Sequence, residues 1–156
     1  MLTYLETTSL AIWVGESYYA YPGLLACHVV GLAIVVGIYS MRDLTLLGLV
    51  PGLNTEVFKE LNKLAIVGFL INAISGLLLF SSQASYLATS VPFLSKITCI
   101  VIGMSLATVL NRRIRAAITT DGSLFLAEKQ TQLLAGVSLA TWACAIVAGR
   151  LIAYIF

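Results

Sequence analysis

Charge is what this chain has least of. Lys, Arg, Asp and Glu make up 10% of its 156 residues, while 60% are hydrophobic and the mean hydropathy is +0.99. An ordinary soluble domain is about a quarter charged. Segments this apolar have no aqueous core large enough to hide them, so lipid is the solvent they need. The net charge of +2 is too small to attract a nucleic acid. Histidine is nearly missing too, His28 being the only one. The three cysteines, Cys27, Cys99 and Cys144, have neither CxxC nor CxxCH spacing. That removes the basis for zinc, a disulfide framework or c-type haem, and leaves them as buried packing thiols. No Ser/His/Asp set, phosphate loop, paired catalytic carboxylates or metal-spaced motif occurs. The N-terminus, MLTYLETTS, is acidic where a signal peptide needs a positive stretch, and is expected to remain attached.

What is present is a set of long uncharged runs. Pro22 to Ser40 carries no formal charge, and at ~1.5 Å per residue it crosses a hydrocarbon layer of ~30 Å. Met41-Arg42-Asp43 then reads as the return to water. Further crossings are expected at about 64–80, 93–111 and 131–149, the third closed by Arg112, Arg113 and Arg115 and the fourth by Arg150. Glu6 and Glu16 interrupt residues 1–21, which read as an amphipathic helix in the membrane surface with Leu10, Trp13, Val14, Ser17, Tyr18 and Tyr21 on one face. Pro51-Gly52 and Asp121-Gly122 mark turns, Asn54 or Thr55 suits a helix cap, and SSQASYLATSVP is an uncharged link. The predicted fold is an all-α, four-transmembrane-helix bundle, one integral membrane domain over 1–156.

Seven of the nine basic residues, Arg42, Lys59, Lys63, Arg112, Arg113, Arg115 and Lys129, fall in or beside two connections, the first-to-second and the third-to-fourth. The positive-inside rule makes those connections cytoplasmic and both termini periplasmic. Six of seven tyrosines map to the outer face. The fourth helix carries two small-residue ridges, Thr141/Ala145/Gly149 and Gly136/Ala140/Cys144/Ala148. In lipid such ridges mark helix contacts, so this helix is expected to pack on two sides, one of them in a partner subunit.

His28 lies ~9 Å below the outer end of its crossing. Glu16, Lys96 and Arg150 are expected near the same boundary, and charges in hydrocarbon pair, snorkel or line a wet pocket. One outer polar cluster of Glu16, His28, Lys96 and Arg150 follows. In one reading Lys96 and Arg150 are interfacial anchors and His28 bonds a neighbouring helix. In another, His28 binds something: haem iron or a metal through its imidazole, or a quinone carbonyl. Gly31, one turn on, would leave room for a flat ring, and Lys96 or Arg150 would meet a propionate. One histidine supplies one axial ligand, with Met104 as a deeper thioether. Asn72, near mid-membrane with Gly68, Ser75 and Gly76 on a similar face, either bonds across helices or lines a pathway. The arginine cluster is a topology signal, compatible with anionic headgroups.

Through HVVGLAIVVG followed by MRDLTLLG, SGLLLF with SYLATSVPFLSK, and WACAIVAGRLIAY, nearly the whole chain resembles an uncharacterised family of small bacterial inner-membrane proteins, known only as a domain of unknown function. The resemblance implies a four-helix fold and recurring positions at His28, Arg42-Asp43, Lys96 and Arg150. Leu25 stands where members often carry an acidic residue. A looser likeness to copper-resistance D and b-type cytochrome membrane domains implies haem, though those carry more histidines. The expected function is a non-catalytic subunit of a larger inner-membrane assembly, in contact with lipid and with other subunits or further copies of itself. The alternatives are a redox protein holding haem b or quinone at His28, and a small-solute channel or carrier with Asn72 on its path.

Overall fold

A computed structural model describes residues 2–50, 56–120 and 128–154. The expected turns and cap at Pro51-Gly52, Asn54, Thr55 and Asp121-Gly122 lie outside the described residues. The described residues form seven helices joined by short turns: α1 Leu2–Glu6, α2 Ser9–Glu16, α3 Ala20–Leu46, α4 Val57–Ser81, α5 Ala84–Leu87, α6 Val91–Thr120 and α7 Lys129–Leu151. Four of them, α3, α4, α6 and α7, are long and apolar enough to cross a membrane. Each outruns its expected crossing because flanking polar residues join the helix instead of ending it. Lys59 and Lys63 ride on the first turns of α4, where Lys63 pairs with exposed Glu60 at 2.8 Å.

Arg42 and Asp43 do not return the chain to water. They are 1% and 0% exposed, and α3 runs past them to Leu46. Exposed Met41 is on the outer side of α3, whereas the next two residues point into the bundle.

Helix α3 is the axis of the bundle, with α4 on one side and α7 on another, while α6 packs mainly on α7. Gly31 and Gly68 set the α3–α4 crossing. A methyl group on Gly31 would stand 2.7 Å from both the Asn72 amide nitrogen and the Gly68 carbonyl, so backbone lies against backbone. Gly31 therefore seats α4 and is not the room for a flat ring. On the α3–α7 seam the antiparallel register stacks Tyr39 on Trp142, with ring centroids 5.8 Å apart. One end of the bundle core gathers Val35, Tyr39, Ala65, Ala107 and Trp142, and the other Leu46, Leu110, Ile114 and Ala135. Helices α4 and α6 meet little, through Phe80 stacked on Phe93 at one end and Asn111 donating to Asn62 at the other.

The N-terminal segment forms two short helices where one was expected. Thr8 separates them and caps α2, its Oγ1 accepting from the Ala11 amide at 3.3 Å. Ala11 and Val14 are buried on α2, which packs on α3 and α4, whereas Leu10, Trp13 and Tyr18 from the expected face are exposed. Glu6 reaches to α5, accepting from the Ser85 amide at 2.7 Å and its hydroxyl at 3.0 Å. Pro22 sits in the first turn of α3, where its missing N–H costs nothing. The cysteines differ from expectation: Cys27 and Cys144 are exposed on the outside of the bundle and Cys99 is half-buried. In lipid an apolar thiol has no reason to be inside.

Candidate functional site

Two polar clusters lie inside this apolar bundle, one toward each end of α3. The first centres on His28. Its Nδ1 is 2.9 Å from the Asn72 carbonyl oxygen on α4. A carbonyl only accepts, so Nδ1 carries the ring proton and Nε2 presents a lone pair. Lys96 Nζ, reaching across from α6, lies 3.0 Å from Nε2 and donates to it. The Asn72 side-chain amide returns a bond to the His28 carbonyl at 2.8 Å. Ser75 donates to the Ile71 carbonyl at 2.6 Å and keeps its oxygen 3.3 Å from Nδ1.

Two glycines make this arrangement possible. A methyl group on Gly76 would stand 2.9 Å from His28 Cε1, so the imidazole lies against bare α4 backbone. At Gly149 it would meet the Lys96 stem at 3.4 Å, so lysine passes α7 where α7 has no side chain.

Of the residues expected at this cluster, His28 and Lys96 come together, and Asn72, expected apart from it near mid-membrane, joins them. Arg150 and Glu16 do not join them. Gly149 is the residue that faces Lys96. Arg150, a step of ~100° round the helix, turns outward, its guanidinium 5.7 Å from the Tyr154 ring centre. Glu16 is exposed on α2, away from the buried Val14 side.

The second cluster is built on Arg42. Its Nε and Nη2 donate to Asp43 Oδ1 at 2.9 and 2.6 Å. Nη1 donates to Asn111 at 3.0 Å and to the Ala107 carbonyl at 3.3 Å, both on α6. Asn62 Oδ1 on α4 accepts from both Asn111 and the Tyr39 hydroxyl. The guanidinium also lies over the Tyr39 ring at 4.8 Å. A buried ion pair is tolerable only when its remaining donors are met, and here all three guanidinium nitrogens are used. Asn62, Asn111, Tyr39, Ser138 and Trp142 were not singled out by the sequence. The signal available was polar residues within apolar runs, which is the pattern that marked Asn72.

The chemistry open to the His28 cluster is limited by the partners its ring nitrogens already have. An iron or other metal at His28 Nε2 would have to displace the Lys96 ammonium, and Nδ1 is committed to Asn72. Met104 is partly buried against the apolar cluster that contains Tyr39 and Trp142. Among the described residues no three His, Cys, Asp or Glu gather as metal ligands. The donor set at His28 does not fit haem or a metal ion. Farther along the chain, Arg113 bonds Thr131 and Gln130 at 2.9 Å each and lies 3.5 Å from Glu128, tying α6 to the start of α7. Comparison with known proteins finds no matching family model, no matching curated protein and no matching solved structure.

Proposed function

We propose that this chain is a non-catalytic integral membrane subunit of a larger bacterial inner-membrane assembly, with both termini periplasmic, akin to the uncharacterised family it resembles. The observation that carries this reading is the division of labour on α7. Its inward small residues are consumed within the bundle: Ala145 is 1% exposed, Ala148 8%, and Gly149 lies under Lys96. Of its other ridge only Ala148 turns inward, and the Gly136/Ala140/Cys144 stretch is uncovered. Ala140 and Cys144 are exposed, and a methyl group on Gly136 would meet nothing within 4 Å. Small-residue ridges let membrane helices approach closely, and in lipid that approach is a main source of association energy. The polar clusters support the same reading, because their donors and acceptors are largely spent on joining helices rather than turned toward a substrate.

Cys144 stands on the uncovered ridge and reports on it directly. Treating membranes with a short thiol cross-linker is expected to join Cys144 to a second chain and give a species larger than 16.7 kDa. The product should be lost in Cys144→Ser. Replacing Ala140 with Leu is expected to reduce the cross-link and the assembly size in mild detergent several-fold. An uncross-linked chain that runs as a monomer both before and after Ala140→Leu overturns the proposal.

A further inference from the structure

The two polar clusters treat their cations differently. The Arg42 guanidinium has the Asp43 carboxylate beside it, and both side chains are sealed inside the bundle. The Lys96 ammonium has no such partner. Among the described residues no Asp or Glu lies within ion-pair distance of it. It donates instead to a second base, His28 Nε2, at 3.0 Å. Both members of this pair are half-buried, toward the end of the bundle where α3 begins.

No described element packed against the pair brings an anion to it. From α4 come the Asn72 carbonyl and side-chain amide, Ser75 and bare Gly76, none of which titrates. From α7 comes Gly149, with Arg150 turned outward over Tyr154. On α3 the nearest titratable side chains are Cys27, exposed on the outside, and Tyr21, two turns away; on α6 Cys99 stands one turn from Lys96. Helix α2 carries Glu16 exposed on its far side, and Glu6 of α1 is bonded to Ser85.

This geometry decides what a second ring proton would do. His28 Nδ1 already donates to the Asn72 carbonyl, so the proton can only enter at Nε2. There it takes the lone pair that Lys96 uses. An imidazolium would then face an ammonium with no anion between them, and adjacent like charges oppose each other strongly. One of the two has to leave. The ring is held by Asn72 and lies against the Gly76 backbone. The lysine stem is flexible, passes α7 where α7 has no side chain, and can carry its head toward water.

We infer that His28 and Lys96 form a proton-released latch between α3 and α6. While Nε2 is unprotonated, the ammonium bonds to it and ties the two helices. A proton taken up at Nε2 from the aqueous side breaks that bond, and Lys96 withdraws past Gly149 toward the interface. The link is therefore present at higher pH and is lost as the pH falls through the titration of the ring.

The test uses the full chain in micelles, isotopically labelled for nitrogen. His28 is the only histidine, so its two ring nitrogen signals are unambiguous. At about pH 8 Nδ1 is expected to be protonated and Nε2 not, and at about pH 5 both, the two conditions lying either side of ordinary imidazole titration. Thermal midpoints over the same range read the latch. The wild type should lose several degrees more than His28→Gln, whose amide offers an N–H and an oxygen but no titrating nitrogen. Lys96→Met has no ammonium to expel and should lose clearly less than the wild type. A ring that stays singly protonated throughout overturns the inference without any variant, as does a ring carrying its single proton on Nε2. So does a doubly protonated ring in a wild type whose midpoint falls no further than that of either variant.

Discussion

His28 is tied at both ring nitrogens, and this fixes what its replacement should do. Glutamine offers an N–H for the Asn72 carbonyl and an oxygen for Lys96, so it can stand in for both halves of the ring. Leucine offers neither and strands a half-buried ammonium beside a carbonyl. His28→Leu is expected to destabilise the bundle by about 1–3 kcal/mol, the usual cost of unpaired buried polar groups, and His28→Gln by clearly less. Thermal unfolding in detergent measures both. Adding Lys96→Met to His28→Leu should recover part of the loss, since the stranded charge is then gone. Equal damage from Gln and Leu would show that the imidazole is needed for something other than these bonds. The sequence drew attention to His28, Lys96 and Asn72 because a polar group in a long apolar run is conspicuous, and the structure brings the three into contact. The sequence reading misplaced Arg150, because being near the same boundary says nothing about helical phase. It misread Arg42 and Asp43 for a related reason. Adjacent charges at the end of an apolar run look like the edge of the membrane unless their partners, here Asn111 and the Ala107 carbonyl, are known from another helix.

Among the helices, the glycines separate contact from mere composition. Gly31→Ala drives a methyl group to 2.7 Å from the backbone of α4, and neither backbone atom can turn aside. The helices must part, and the expected cost is about 1–3 kcal/mol, as for other overpacked sites. Gly37→Ala lies on the same helix and meets nothing within 4 Å, so it should be neutral. Gly149→Ala would touch the flexible Lys96 stem at 3.4 Å and should fall between them. Unfolding midpoints for the three variants test that order; equal midpoints would remove the close α3–α4 crossing. The four crossing helices were legible from their uncharged runs. The two-helix N-terminal segment was not, because its division depends on Thr8 serving as a cap and on Glu6 reaching α5, a residue 79 positions away. No local periodicity encodes such a contact.

For the whole molecule, orientation in the bilayer is the testable quantity. Arg42, Lys59, Lys63, Arg112, Arg113, Arg115 and Lys129 crowd one end, which the positive-inside rule assigns to the cytoplasm. Gln83 and Leu49 are exposed beyond opposite ends of the crossings. In a chain freed of Cys27, Cys99 and Cys144, a membrane-impermeant thiol reagent applied from the periplasm should label Gln83→Cys and spare Leu49→Cys. The reverse pattern would invert the orientation. Beyond orientation, the two polar clusters share a mechanical property. Lys96 meets His28 at a sequence offset of 68, and Asn111 meets Arg42 at an offset of 69, so α3 and the parallel α6 are pinned in one register at two points ~21 Å apart. A slide of one helical turn between them would break both pins at once. A bilayer that thins or thickens therefore finds no compliant joint along this pair, and the two helices must answer by tilting together as a single stiff strut.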